Sequence, residues 1–190
     1  AGILNPTLAQ SYTLDVHTTS AATDRTSPSY TMTSTSTTTS AASVTVNAAA
    51  INVADADYTI SFSTGSNGRL LAGTSTITVT LPVGTTVGAT ASTATVNGTS
   101  ATTVVNNSGN RTVTITVPSA ESIGNSSAVT VVITDQITNP SSAADYALEV
   151  QTSVETSNVS SNSYTLAAAA TAVTISSVVP APDTTRRTAQ

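Results

Sequence analysis

Residues 1–32 and 135–166 are two copies of one segment, and this internal repeat restricts the fold more than any other feature of the chain. The two align without gaps at an offset of 134 residues, with Asn5 on Asn139. Ile3, Asn5, Pro6, Ala9, Tyr12, Leu14, Val16, Thr18, Ser27, Ser29, Tyr30 and Thr31 then meet identical residues, while Asp15 meets Glu149 and Met32 meets Leu166. Ser and Thr are common enough here to coincide by chance. Asn-Pro, two tyrosines and an alternating Leu-x-Val in one register are not. A repeat of this kind places the same piece of structure in successive domains. A second match, Ser43-Val44-Thr45-Val46 on Ala172-Val173-Thr174-Ile175, marks where a repeat opens.

The chain therefore divides into the closing strands of a preceding or partner repeat (1–32), a Thr/Ser-rich linker (33–42), one complete sandwich (43–166), and a linker with the opening strand of a following repeat (167–190). Beginning at Ala rather than Met, it reads as a processed protein or a piece of a longer one.

Within the complete unit, apolar and polar residues alternate with period two, and the apolar ones are largely β-branched, which is the pattern of half-buried strands. The alternation predicts strands over 43–46, 58–64, 74–81, 94–97, 111–117, 128–134, 146–152 and 163–166. Its inward set is Val44, Tyr58, Ile60, Phe62, Ile77, Val79, Val113, Ile115, Val129, Val131, Leu148 and Val150. Turn signals lie between the runs, among them Gly65-Ser66-Asn67-Gly68, Pro82-Val83-Gly84 and Asn139-Pro140. Asn97-Gly98 predicts a type I′ hairpin joining 94–96 to 101–105. The expected fold is all-β, an Ig-like Greek-key β-sandwich repeat with incomplete repeat segments at both ends.

Composition narrows the function. Charged residues are 8% of the chain, against roughly a quarter in ordinary soluble domains, and aromatics are 3%. The net charge is −5, and the five basic residues are scattered arginines or lie at the extreme C-terminus, so no basic patch is available for phosphates. Cysteine and lysine are absent, which removes disulfides, thiolate chemistry, Schiff bases and Lys-Asn isopeptide staples. No apolar run is long enough for membrane insertion by a helix.

Thr76–Pro82 (TITVTLP), Ala94–Thr99 (ATVNGT), Arg111–Pro118 (RTVTITVP), Val129–Thr134 (VTVVIT), Ile137-Thr138-Asn139-Pro140 and Asp145–Thr152 (DYALEVQT) follow in an order that resembles an Ig-like repeat of secreted bacterial and archaeal surface proteins. That group includes S-layer-like, stalk and filament-forming chains. The resemblance implies an extracellular, cell-surface location and a structural role.

Catalysis has few candidate residues. His17 is the lone histidine and aligns with Gln151, a position without acid-base chemistry, while Asp15 and Glu149 occupy matching positions of different domains rather than one cleft. No enzyme activity is expected. Asp55 and Asp57 flank a strand entrance and are the candidate Ca²⁺ ligands, with Asp135 or Glu121 as more distant helpers; calcium is the one cofactor considered. Asn97, Asn106, Asn110, Asn125 and Asn158 head Asn-x-Ser/Thr sequons and are candidate glycosylation sites. Tyr12, Leu14, Val16, Tyr30 and Met32 of the first copy are the candidate self-assembly residues.

The expected function is a structural subunit of an extracellular filament or surface layer, joined head-to-tail to copies of itself by β-strand complementation. Neither nucleic acid nor membrane is an expected partner. The rival is a stalk repeat of a long adhesin. A carbohydrate-binding module comes third, because such platforms use exposed aromatic clusters and Trp is absent.

Overall fold

The computed structural model describes residues 10–32 and 39–169. Most of the spacer at 33–42, the repeat matches before residue 10 and the opening strand expected at 172–175 lie outside these. The described residues form strands and turns, with no helix able to cross a membrane. The first piece holds β1 (Ser11–Tyr12), β2 (Asp15–Thr18), β3 (Ala21–Thr26) and β4 (Tyr30–Thr31). The sandwich follows with β5 (Ser43–Val46), β6 (Tyr58–Ser63), β7 (Thr76–Thr80), β8 (Thr86–Val87), β9 (Thr93–Val96), β10 (Thr99–Ser100), β11 (Val104–Asn107) and β12 (Thr112–Thr116). It closes with β13 (Ala128–Thr134), β14 (Ile137–Thr138), β15 (Ala144–Tyr146), β16 (Glu149–Thr152), β17 (Val159–Ser160) and β18 (Tyr164–Leu166).

Two five-stranded antiparallel sheets face each other, in the orders β10-β9-β13-β6-β5 and β11-β12-β7-β16-β17. Alternation builds them. In β6, Tyr58, Ile60 and Phe62 are buried while Thr59, Ser61 and Ser63 are half-exposed, and β7, β12 and β13 repeat the pattern. The outward threonines also pair across strands, as Thr78 with Thr114 (3.3 Å between hydroxyls) and Thr103 with Thr116 (2.7 Å). Of the residues expected to face inward, all are buried except Val44, which is half-buried on the edge strand β5.

With so few aromatics, the tyrosines carry much of the packing at one end. The Tyr58 and Tyr164 rings meet edge-to-face at 5.9 Å, and burial pushes both phenols above their ordinary pKa. The Tyr58 hydroxyl donates to Asn139 Oδ1 (2.7 Å), and Asn139 Nδ2 donates to the Ala50 carbonyl (2.9 Å). Asn139 thus ties β6 to the loop after β5, and it is one of the residues shared by both copies of the repeat.

Two expectations need correction. Asn97 (φ 51) and Gly98 (φ 82) do form the left-handed pair of a hairpin, but its second strand is Thr99–Ser100 rather than 101–105. The chain then leaves that sheet, and Val104–Asn107 joins the other one beside β12. The run 146–152 is likewise broken at Ala147-Leu148, so that β15 pairs with β18 while β16 lies along β7.

Candidate functional site

The last four strands close the sandwich. β16 pairs with β7 in the register Glu149↔Thr80, Val150↔Val79, Gln151↔Thr78 and Thr152↔Ile77. The Asn162 N–H donates to the Ala42 carbonyl (2.8 Å), and Ala167 exchanges hydrogen bonds with Ala49 and Ile51. Leu148, Val150, Tyr164 and Leu166 fill the space beneath, all buried.

Residues 10–32 reproduce the strand pairing of this closing piece. β1 pairs with β4 through Tyr12↔Tyr30, as β15 pairs with β18 through Tyr146↔Tyr164. The ring pairs agree, at 6.3 Å and 33° against 6.4 Å and 36°. The Ser27 N–H donates to the Leu14 carbonyl (2.7 Å) and the Leu14 N–H to Ser27 Oγ (2.9 Å); the Ser161–Leu148 pair does the same at 2.8 and 3.1 Å. β2 and β3 pair as β16 and β17 do, with Asp15↔Thr26 and Val16↔Arg25 answering Glu149↔Ser160 and Val150↔Val159.

The two copies differ in what covers them. Leu14, Val16 and Tyr30 are 57%, 61% and 37% exposed, where Leu148, Val150 and Tyr164 are 0%, 1% and 8%. Met32 is half-buried, as is Tyr12. Among the described residues, β2 has β3 on one side and no strand on the side where β16 has β7. The N-terminal piece therefore presents a preformed inner face and a sheet edge that, in its twin, are occupied.

The other candidate residues are scattered. Asp55 Oδ1 accepts the Gln136 N–H (3.0 Å), and Asp57 Oδ2 accepts from Asn47 Nδ2 (3.3 Å). Glu121 Oε1 accepts the Thr99 hydroxyl (2.9 Å), and Ser92 Oγ donates to the Asp135 carbonyl (3.2 Å). No group of three or more His, Cys, Asp or Glu side chains converges among the described residues. His17 Nδ1 lies 2.8 Å from Asp24 Oδ1 on the exposed face of the N-terminal piece.

The sequons are not equivalent. Asn106 Nδ2, the atom that would carry a glycan, donates to the Gly88 and Thr90 carbonyls and to Ser92 Oγ. Asn158 Nδ2 donates to Glu149 Oε2 (2.7 Å). Asn97 and Asn125 accept the backbone N–H groups of Thr130 and Arg69 through Oδ1, and Asn110 stands exposed in a turn.

Sequence reasoning missed Glu155, a fully buried carboxylate between β16 and β17. Its repeat partner is Ala21, so the repeat itself offered the signal as a mismatch.

No family model matches the chain, and no curated protein matches it. Among solved structures it is similar to the C-terminal domain of the Streptococcus pyogenes antigen I/II-family protein AspA, at 13% identity and a TM-score of 0.39 over 75% of this chain. The chain spans about half the length of that structure, the match covering 50% of it.

Proposed function

We propose that this chain is a repeat unit of an extracellular scaffold at the cell surface, in which residues 10–32 act as the closing strands of a neighbouring sandwich. The carrying observation is the pair of twins just described: one docked and buried, the other folded alike with its inner face open. A preformed face with a free edge favours strand addition to a sheet. The sparse charge, abundant Thr and Ser, and lack of Cys and Lys suit a passive structural element rather than an enzyme.

The neighbour has two sources. If it is another copy of the chain, donor and acceptor surfaces differ, and the contact runs head-to-tail into a filament or layer. If it is a preceding domain of one long polypeptide, the repeats form a stalk. One observation favours the stalk: the edge of β7 in this sandwich is already taken by its own β16, so an incoming copy must displace it.

Placing charge on the open face separates these. If the neighbour is another copy, Leu14→Asp with Val16→Asp abolishes joining in sedimentation and electron microscopy, because docking would bury two unpaired carboxylates. The sandwich, which shares no strand pairing with these residues, should melt within about 2 °C of the unaltered chain. Unchanged joining would remove strand complementation between copies and leave the stalk.

A further inference from the structure

Seven positions of the closing piece are buried in the sandwich: Leu148, Val150, Thr152, Glu155, Ser161, Tyr164 and Leu166. The N-terminal piece repeats five of them identically and substitutes Met32 for Leu166. The exception is Glu155, whose place is taken by Ala21. The turn that carries this position keeps one hydrogen bond in both copies, the Ala21 N–H donating to Thr18 Oγ1 (3.1 Å) and the Glu155 N–H to Thr152 Oγ1 (2.9 Å), although Ala21 begins β3 and Glu155 lies in a bend before β17.

In the sandwich, the Glu155 carboxylate reaches the loop after β6. Both of its oxygens accept the Gly65 N–H, at 2.9 and 3.2 Å. It also packs so closely over Gly68 that a Cβ there would sit 2.5 Å from Oε2. The loop is shaped around a carboxylate that only one of the two closing pieces supplies.

We infer that Glu155 is a specificity-determining residue that selects between closing pieces: the 43–166 sandwich keeps its own piece and rejects residues 10–32, which belong to a core whose corresponding loop requires no carboxylate. The inference rests on the proposed closing role of residues 10–32. The apolar faces of the two pieces are too alike to discriminate. With Ala21 in position, however, the Gly65 N–H loses a charge-assisted acceptor and the space over Gly68 empties. Rejection through an unpaired polar group is sharper than rejection through a small change in apolar shape. The device prevents exchange between near-identical strands, a characteristic failure of repeat proteins.

The absence of cysteine makes the test clean. Gln151 and Thr78 are cross-strand partners, and His17 takes the place of Gln151 in the repeat. In the full chain, a His17→Cys/Thr78→Cys disulfide therefore reports the N-terminal piece seated on β7, within one chain or between two, and a Gln151→Cys/Thr78→Cys disulfide reports the native closing piece with the same geometry. Under mild oxidation the Gln151 pair should close and the His17 pair should not. Adding Ala21→Glu should raise the yield of the His17 pair by about tenfold, and adding Glu155→Ala as well should raise it further. Ala21→Glu alone leaves the native sandwich intact, so the outcome does not depend on whether Glu155→Ala folds. Equal yields of the His17 pair with and without Ala21→Glu overturn the inference. If the amides of Asp15 and His17 are nonetheless protected from hydrogen exchange in native assemblies, selectivity alone has failed; without that protection, the closing role has failed with it.

Discussion

Deletion of residues 1–32 is expected to leave a soluble, folded sandwich that can no longer close a neighbouring repeat. Among the described residues, the strands β1–β4 pair only among themselves, and the sheets of the sandwich take all their strands from β5 onward. The core at 43–166 is closed by its own β16, whose Val150 lies on Val79, and by Tyr164 against Tyr58. Removing the first piece therefore takes no strand pairing from the described sandwich, and its melting temperature should be retained. What disappears is a face carrying Leu14, Val16, Tyr30 and Met32 together with the free edge of β2. Two-stranded sheets such as β1-β4 and β2-β3 hold together poorly in water, and the proposed closing role would give them a host. Long polymers formed by the truncated chain would contradict strand complementation through residues 1–32.

The second large effect falls on the core. Phe62 is the only phenylalanine, buried on β6 and paired directly with Val129 on β13. The core it belongs to is built mainly of Val, Ile, Leu and Ala side chains, held by two paired sheets that resist collapse over a lost ring. Phe62→Ala should cost about 3–5 kcal/mol in denaturant unfolding, the usual range when a large buried side chain leaves a cavity. In a domain of this size that corresponds to a fall in Tm of about 10 °C or more. A loss below about 0.5 kcal/mol, typical of a surface site, would contradict the packing described for the two sheets.

Long strands were legible in the sequence because one rule governs them. Val113 and Ile115 alternate with threonines that tolerate the outer face, so β12 is visible from composition and period alone, as are β6, β7 and β13. The two-residue strands were not legible. Thr86–Val87 pairs with Ile137–Thr138 across fifty residues of chain, and a pair of residues carries no period to detect. The sheet switch after Ser100 was hidden for a related reason: 101–105 is as β-branched as a strand should be, but a transfer between sheets leaves no mark in residue type. The open apolar face was legible only through the repeat, which equated Val16 with Val150 and Tyr30 with Tyr164. Glu155 was visible to the same comparison, yet a mismatch in a Ser/Thr-rich turn gains meaning only once Gly65 and Gly68 are placed beneath it.

If residues 10–32 close a neighbouring sandwich, β2 lies along its sheet edge as β16 lies along β7. In the twin, the Ser153 N–H donates to the Thr76 carbonyl (2.9 Å), so by alternation the N–H groups of Glu149 and Gln151 face β7 as well. Their counterparts in the N-terminal piece are Asp15 and His17. Amide hydrogen exchange, measured on material isolated in its native assembled form and compared with the dissociated chain, should show these two amides protected to the level of Glu149 and Gln151 in the assembly and exposed in the free chain. Exchange of Asp15 and His17 at the same fast rate in both states would contradict the account.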